Sequence, residues 1–443
     1  MWTPGSADRV RDWAESGIVA LTGRADGVPV VPPGRAASHA RACGAWIADV
    51  TDGAVRVDGA LLLSERAALT GFRRAGSVSA GGSCRLLPTA DGWAAVSCAR
   101  PDDPLLLSAL ACADLVDDDP WPAVSSWLAE HSGAELAERA ELLGVAAWPV
   151  GAPGEVSPKP PLPQRGAALG GDRAPTESCP VGTAWQVAAA PHISPLEPRP
   201  VAGLLVVDFS ALWAGPLCAH LLGLAGARIV KVETPSRPDG ARRGNADFYR
   251  LLHGGHEAVQ FDPTVPEDRA ALHALVSAAD IVIEASRPRA LRGFGLEAEQ
   301  FVADGATWLS ITAAGRASDR VGFGDDIAAS AGLVAFDADG PMFVGDAIAD
   351  PLTGLTAAAL AMSVPAGGGG ELWDISMTDV VGRTLEATES AAPQAHREGS
   401  HWAVETSTGP VRISEPQRRQ ARGTVAEPGR DTDTVLAGLG TVR

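Results

Sequence analysis

Lysine is almost absent from this chain, which contains only Lys159 and Lys231 among 36 basic residues, and the formal net charge is −18. An acidic excess of this size argues against nucleic acid or an anionic membrane surface as the main partner. No apolar stretch is long enough to span a bilayer. Residues 1–5 lack the basic and apolar regions of a secretory signal. We therefore expect a cytoplasmic protein.

Cysteine pairs and nucleotide-binding motifs are also missing. The six cysteines stand far apart without a CxxC pair, so they are expected to be reduced, small hydrophobic residues. We expect no metal site, because no cysteine or carboxylate ligand set accompanies His253 and His256. Neither a GxGxxG nor a Walker motif occurs, which leaves nicotinamide, flavin and nucleoside triphosphate cofactors with little support.

The length of 443 residues predicts two domains, and a segment rich in proline and glycine suggests where they separate. We interpret residues 151–200 as a linker between a domain at 1–150 and a domain at 201–390, followed by a tail at 391–443. A hairpin signal at 85–98 and helical spacing at 120–131 and 134–143 predict a small α+β unit before the linker.

Strands and helices alternate after the linker. Apolar runs at 204–209, 228–232, 281–284 and 308–311 predict buried strands, and helices are predicted at 215–224 and 266–278. This alternation predicts an α/β fold with a doubly wound, mostly parallel, Rossmann-like sheet. Ligands of such sheets bind beyond the carboxyl ends of the strands.

Basic residues follow several of these predicted strands. They can form a phosphate-binding band, because a guanidinium matches phosphate geometry, or a solvated surface paired with local acids. Composition alone gives both readings similar weight. The band comprises Arg228, Lys231, Arg237, Arg242, Arg243, Arg250, Arg287, Arg289 and Arg292.

Two acidic sites lie later in the chain. Asp350 and Pro351 precede an apolar helical run, a pattern that favours a helix N-cap on spacing alone. A catalytic role is compatible with that position, because helix-start amides stabilise negative charge. Asp325 and Asp326 precede another apolar run, where they are either helix-start acids or carboxylates near a reacting centre.

A series of motifs in one order adds a resemblance. The sequence VVDFSALWAGPLC (206–218) resembles the opening of the class III coenzyme A transferases, the family of carnitine and formyl-CoA transferases and methylacyl-CoA racemases. LAGARIVKVE (224–233), ADIVIEASRP (279–288) and GFGL (293–296) are similar to the family's next segments. GDAIADPLTGL (345–355), WDISM (373–377) and PGRDTDTVL (428–436) resemble its later ones, with the family's catalytic aspartate falling on Asp350.

The chain departs from this family in several ways. Residues 84–150 resemble the family's small domain, which is expected after residue 379, so we predict a rearranged domain order with the small α+β domain placed N-terminally. A lysine of the family is missing from the stretch 253–256. Trp213 stands where formyl-CoA transferases carry a polar residue. Asp325 stands where racemases carry a histidine, which favours transferase over racemase.

The resemblance implies an enzyme that transfers coenzyme A from an acyl-CoA to a carboxylic acid, with Asp350 forming an anhydride and then a thioester. It further implies that Asp326 orients the acceptor. Lys231, Arg287, His253, Gly254 and Trp213 are the candidates for binding coenzyme A, the only cofactor implied. The expected assembly is a homodimer, interlocked or not. Two alternatives stay open, namely an acyl-CoA racemase or isomerase and an inactive acyl-CoA-binding partner subunit.

Overall fold

The computed structural model describes residues 8–151, 196–285, 288–365, 369–385 and 393–439. Most of the predicted linker at 151–200 therefore lies outside the described residues. None of the helices in these ranges is long and apolar enough to cross a membrane.

Residues 9–70 form helices that the sequence analysis did not predict. Asp8 caps the first of them by accepting hydrogen bonds from the amides of Val10 and Arg11. Apolar residues between 10 and 67 belong to the same hydrophobic cluster as residues 201–413, so the packing places them with the large unit. The elements are α1 (Arg9–Glu15), a 3-10 turn (Val19–Leu21), α2 (Ala36–Val50), α3 (Gly59–Leu62) and α4 (Glu65–Thr70).

Residues 84–150 form the small α+β unit, with a hydrophobic cluster of its own over 94–147. The predicted hairpin and both predicted helices are confirmed, and Gly144 ends the second helix with a φ of 66°. The wider division at residues 150, 200 and 390 stays a prediction. The elements are an antiparallel sheet of β1 (Cys84–Pro88), β2 (Trp93–Ser97) and β3 (Ala147–Pro149), with α5 (Asp103–Leu110), α6 (Trp121–Glu130) and α7 (Gly133–Leu143).

Strands and helices alternate through the remainder of the chain. The strands are β4 (Leu196–Pro198), β5 (Leu205–Asp208), β6 (Arg228–Glu233), β7 (Glu257–Gln260), β8 (Ile281–Glu284), β9 (Thr307–Thr312), β10 (Val334–Asp337), β11 (Gly340–Phe343), β12 (Ser363–Pro365), β13 (Glu371–Ser376), β14 (His396–Glu398), β15 (His401–Thr406) and β16 (Gly409–Arg412). The helices are α8 (Ala214–Leu224), a 3-10 turn (Gly240–Arg243), α9 (Ala246–His253), α10 (Pro266–Ser277), α11 (Pro288–Gly293), α12 (Ala298–Ala303), α13 (Gly324–Ser330), α14 (Ala349–Ala361), α15 (Met377–Gly382) and α16 (Thr432–Leu439).

Six of these strands form one fully parallel sheet in the order β13-β9-β8-β5-β6-β7. The predicted α/β fold with a doubly wound parallel sheet is thereby confirmed. The chain runs outward from β5 to β6 and β7, then returns to β8 and continues to β9 and β13. The strand order therefore reverses between β5 and β8, and the carboxyl ends of the strands at such a reversal are the usual ligand position in sheets of this type.

Helix α14 packs tightly against α8. A Cβ atom added at Gly354 would lie 2.5 Å from the carbonyl oxygen of Ala214 and 3.0 Å from the Cβ of Leu217. Only glycine fits there. The close approach places the first two turns of α14 beside the start of α8.

The closing motif covers the outer edge of the sheet. Asp431 exchanges hydrogen bonds with Ala258 of β7, through its backbone N–H (3.0 Å) and its carboxylate (2.9 Å). The hydroxyl of Thr432 accepts the amide of Gln260 at 3.1 Å, and Val435 of α16 is buried in the adjoining cluster.

Substituting Gly354→Ala should destabilise the protein by about 1–3 kcal/mol, because backbone and Cβ atoms of α8 occupy the space that the methyl group needs. Urea denaturation measures the free energy of unfolding. Gly382→Ala is the matched control, since this helical glycine has no neighbour within 4 Å of the added Cβ. Equal stabilities of the two variants would contradict the close packing of α8 and α14.

Candidate active site

Asp350 lies within the first turn of α14, and the expectation that it caps this helix is wrong. The N-cap position is Ile348, which makes no side-chain cap bond. Asp350 already has a helical position, with its N–H donating to Ala347 at 3.0 Å, so its side chain does not fold back onto the helix start. The residue as a whole is half-buried, and its carboxylate instead accepts a hydrogen bond from the N–H of Gly324, the first residue of α13.

Gly324 is the residue that permits this approach. A Cβ atom built at this position would lie 2.5 Å from Oδ2 of Asp350. Any side chain would therefore displace the carboxylate from the amide that orients it.

The turn before α14 is held from two sides. Ala347 has a φ of 45°, an uncommon left-handed conformation for a residue with a side chain. Its N–H donates to Oδ1 of Asp325 at 2.8 Å. The N–H of Gly345 donates to the hydroxyl of Thr22 at 3.2 Å. The N-terminal segment and α13 thus fix the direction in which α14 leaves the turn.

Arg66 of α4 brings a positive charge to this turn. Its Nε lies 2.9 Å from Oδ2 of Asp346, and its Nη2 lies 2.6 Å from Oδ1 of the same carboxylate. Its guanidinium carbon lies 4.9 Å from the ring centroid of Trp213. The bidentate pair and the stacked ring fix the plane of the guanidinium.

Three carboxylates share the field of Arg66. Burial tends to lower the pKa of Arg66, but Asp346, Asp325 and Asp350 raise it well above its usual range. The pKa of Asp350 is raised to about 7, mainly by burial. Arg66 opposes this rise, and the charges of Asp325 and Asp346 add to it. The pKa of Asp325 is raised to about 6 by burial and by Asp346. Asp350 thus combines partial exposure with ready protonation near neutral pH.

Asp326 is fully buried on the side of the small unit. Its Oδ1 accepts the Ser97 hydroxyl at 2.6 Å, and its two oxygens accept the N–H of Phe323 at 3.0 and 3.2 Å. Burial raises its pKa to about 8, against these hydrogen bonds. The reading of Asp325 and Asp326 as helix-start acids is confirmed, since both lie in the first turn of α13. The role of Asp326 toward an acceptor stays a prediction.

Lys231 and His253, two of the residues predicted to bind coenzyme A, are buried in the protein interior. Nζ of Lys231 lies 3.0 Å from Oδ2 of Asp239 and donates to the Ser210 carbonyl at 2.8 Å. His253 is buried beside the same carboxylate at 3.7 Å, and burial lowers its pKa well below the usual value. Their predicted role stays untested, and binding of a large ligand by these atoms would require the Lys231–Asp239 pair to open.

Trp213 and Gly254 were also predicted to bind coenzyme A. Trp213 is 1% exposed, lying beneath Arg66 and edge-on to Phe248. Gly254 packs against the carbonyl of Arg422, which leaves no room for a Cβ atom. Arg287 lies outside the described residues.

Several arginines of the basic band are paired with local acids, as the solvated-surface reading expects. Arg228 pairs with Glu257 at 2.6 Å, and Arg242 with Glu233 at 2.5 Å. Arg289 and Arg292 lie within 4 Å of acids on neighbouring turns. Across the described ranges, no set of three His, Cys, Asp or Glu side chains is arranged to hold a metal ion.

Arg66 and Asp346 are the site residues that sequence reasoning missed. Arg66 lies in an ordinary helical stretch, and 280 positions separate it from its partner. Asp346 lies inside a recognised motif, where its position four residues before Asp350 was the available signal.

Residues 201–412 match a family model described as CoA-transferase family III, which confirms the resemblance seen in the motifs. A succinyl-CoA–D-citramalate CoA-transferase of Chloroflexus aurantiacus is 30% identical over 44% of this chain and 53% of its own length. A succinate–glutarate CoA-transferase of Agrobacterium fabrum is 28% identical over 42% and 53%. The chain therefore spans about half the length of these two curated relatives.

Solved structures are similar over a comparable part of the chain. A CAIB/BAIF family protein from Brucella suis is 24% identical over 47% of this chain and 66% of its own, with a TM-score of 0.42. A hypothetical protein from Mycobacterium tuberculosis is 24% identical over 47% and 65%, with a TM-score of 0.40.

Replacing Asp350 by asparagine should stabilise the protein relative to wild type, increasingly so between about pH 5 and about pH 8. The pKa of Asp350 is raised from 3.8 to about 7, so the unfolded chain ionises first as pH rises. The folded wild type consequently loses stability through this window, whereas the neutral amide does not. Urea denaturation at both pH values measures the difference.

Asp337→Asn provides a control of opposite sign. The hydrogen bonds from Arg24, the closer at 2.6 Å, lower the pKa of Asp337, so the amide should destabilise the protein above the usual carboxyl pKa. A stability gain for Asp350→Asn that stays constant from pH 5 to pH 8 would contradict the raised pKa.

Proposed function

We propose that this chain, whose residues 201–412 match the model of CoA-transferase family III, transfers coenzyme A from an acyl-CoA to a carboxylic acid with Asp350 as the nucleophile. The observation that carries the proposal is the placement of Asp350, a half-buried residue whose carboxylate is oriented by the Gly324 amide and compensated by Arg66. It occupies the position at which the family's motif has its catalytic aspartate.

The reaction divides one difficult displacement into easier ones. A carboxylate oxygen of Asp350 attacks the thioester carbonyl, the carbon–sulfur bond breaks, and coenzyme A leaves as a thiolate from a mixed anhydride. The thiolate then attacks the aspartyl carbonyl and releases the donor acid, leaving an aspartyl thioester. The acceptor carboxylate then attacks the aspartyl thioester, which releases the thiolate and forms a second mixed anhydride. The thiolate attacks the acceptor's carbonyl in this anhydride, which forms the new acyl-CoA and restores the carboxylate of Asp350.

The surroundings of Asp350 are suited to these reaction steps. A poorly solvated carboxylate is a better nucleophile than one surrounded by water, and burial supplies that environment here. Arg66 offsets the negative charge of the three carboxylates and thereby maintains an ionised fraction of Asp350 at neutral pH. The Gly324 N–H holds one oxygen and so directs the other toward substrate.

Short dicarboxylic acids are the first substrates to test, because the names of both relatives contain succinyl-CoA or succinate with a second diacid. The proposal includes a homodimer of this chain, working in the cytoplasm, as the family resemblance and the sequence composition suggest. Size-exclusion chromatography with light scattering tests the assembly.

Asp350→Asn should reduce exchange between succinyl-CoA and glutarate by at least about 1,000-fold, because the amide is not a nucleophile. Wild type incubated with acyl-CoA and hydroxylamine should lose activity through a hydroxamate at Asp350, detected by peptide mass spectrometry. Asp339→Asn, an exposed aspartate in the turn between β10 and β11, should behave as wild type.

Full exchange activity in Asp350→Asn would contradict the assignment of Asp350 as the nucleophile. Wild type that exchanges the α-proton of an acyl-CoA in deuterated water without any acceptor acid would instead be an isomerase. Binding of acyl-CoA with no turnover would identify an inactive partner subunit.

Arg66→Gln should move the rise of exchange activity with pH upward by about one unit or more, because Arg66 lowers the pKa of Asp350. Arg66→Lys keeps the charge and should shift the midpoint less. Initial rates of exchange from about pH 5 to about pH 9 measure this. Identical midpoints in wild type and both variants would show that Arg66 does not set the ionisation of Asp350.

A further inference from the structure

A second cavity lies away from Asp350, between the N-terminal segment and the hairpin strands near the end of the chain. Its volume is about 310 Å³, within the range of small-molecule sites. Its walls come from residues 20–29, the loop at 72–74 and residues 397–416. Neither Asp350 nor any residue predicted to bind coenzyme A lines it.

Positive charge dominates these walls, although the whole chain carries −18. Glu415 is the single carboxylate of the lining, against four guanidinium groups and one imidazole. Arg73 and Arg412 are exposed and form no ion pair among the described residues. The basic lining residues are Arg73, Arg74, Arg397, Arg412 and His401.

Arg74 is fixed in place without being neutralised. Its guanidinium donates to the carbonyls of Arg24, Ala20 and Gly27 at 3.1, 3.2 and 2.8 Å. Burial lowers its pKa against the effect of Glu415, and the charges of Arg397 and Arg73 lower it further against that of Asp26. The carbonyl partners orient the Arg74 guanidinium but do not neutralise its charge. An anion in the cavity would therefore relieve the repulsion between the arginines.

An aromatic surface adjoins the guanidiniums. The guanidinium carbon of Arg397 lies 4.2 Å from the ring centroid of Trp402, and its Nη1 donates to the Ser400 carbonyl at 3.1 Å. Phe72 also lines the cavity. A planar ring attached to the anion can stack on such side chains.

We propose that this cavity binds a nucleotide phosphate, with Arg73, Arg74 and Arg412 on the phosphate oxygens and Trp402 beside the base. Several planar guanidinium groups around one cavity can bind a tetrahedral group that carries more than one negative charge. The ligand can be a free nucleotide or the nucleotide end of coenzyme A. The assignment does not depend on the proposed transfer reaction.

Isothermal titration calorimetry on the full chain tests this with ADP, pyrophosphate, coenzyme A and dephospho-coenzyme A. The double variant Arg73→Ala/Arg412→Ala should bind ADP and pyrophosphate at least about tenfold more weakly than wild type. Arg56→Ala is the control, because this exposed arginine bonds only the nearby Gly53 carbonyl and should leave every affinity unchanged.

Two further comparisons distinguish a free nucleotide from coenzyme A as the ligand and test the contact between the base and Trp402. Weaker binding of coenzyme A in the double variant assigns the site to the nucleotide end of that molecule, whereas unchanged coenzyme A binding with weaker ADP assigns it to a free nucleotide. Trp402→Leu should weaken ADP but not pyrophosphate. No binding of ADP or pyrophosphate to wild type at about 1 mM, or equal binding by the double variant, would overturn the proposal. Asp350→Asn should bind both as wild type does, which separates this result from a failure of the transfer hypothesis.

Discussion

The compensation of three clustered carboxylates by one guanidinium is the constraint on which the site depends. Asp325, Asp346 and Asp350 converge where α13 and α14 begin, and Arg66 is the cation placed among them. Removing Arg66 would leave buried like charges to repel one another. Because α4 supplies the cation and the later segment supplies the anions, the N-terminal helices are part of the site's electrostatics as well as of its core.

Most of the sheet could be predicted because its signals are local. Apolar runs identify β5 and β8, and Pro216 and Gly226 mark the ends of α8. Asp350 was recognisable from the ordered motifs around it. The role of Arg66 could not be predicted, because its partner Asp346 is 280 residues away in the sequence and comes near only in the folded chain. The helices over 9–70 were not predicted from the sequence.

Charge was visible in the sequence, but pairing was not. Lys231 and His253 follow the strand-and-helix pattern of phosphate-binding residues, yet both lie against Asp239 in the interior. Conversely, the arginines around the second cavity are spread over separate segments with no shared motif, and they meet only in the fold. Asp350–Pro351 misled in the same way, since composition alone does not distinguish a helix capped at Asp350 from one capped two residues earlier at Ile348.

The pairing of residues 431–432 with β7 also affects how separate molecules meet. A bare outer strand offers a row of unpaired amides and carbonyls to any neighbouring chain, which is a common route to aggregation. Here Asp431 and Thr432 occupy the Ala258 and Gln260 positions of that row, and Val435 covers the apolar surface beside it. The pairing of residues 431–432 with β7 thus leaves fewer backbone groups of this edge strand free to pair with a neighbouring chain.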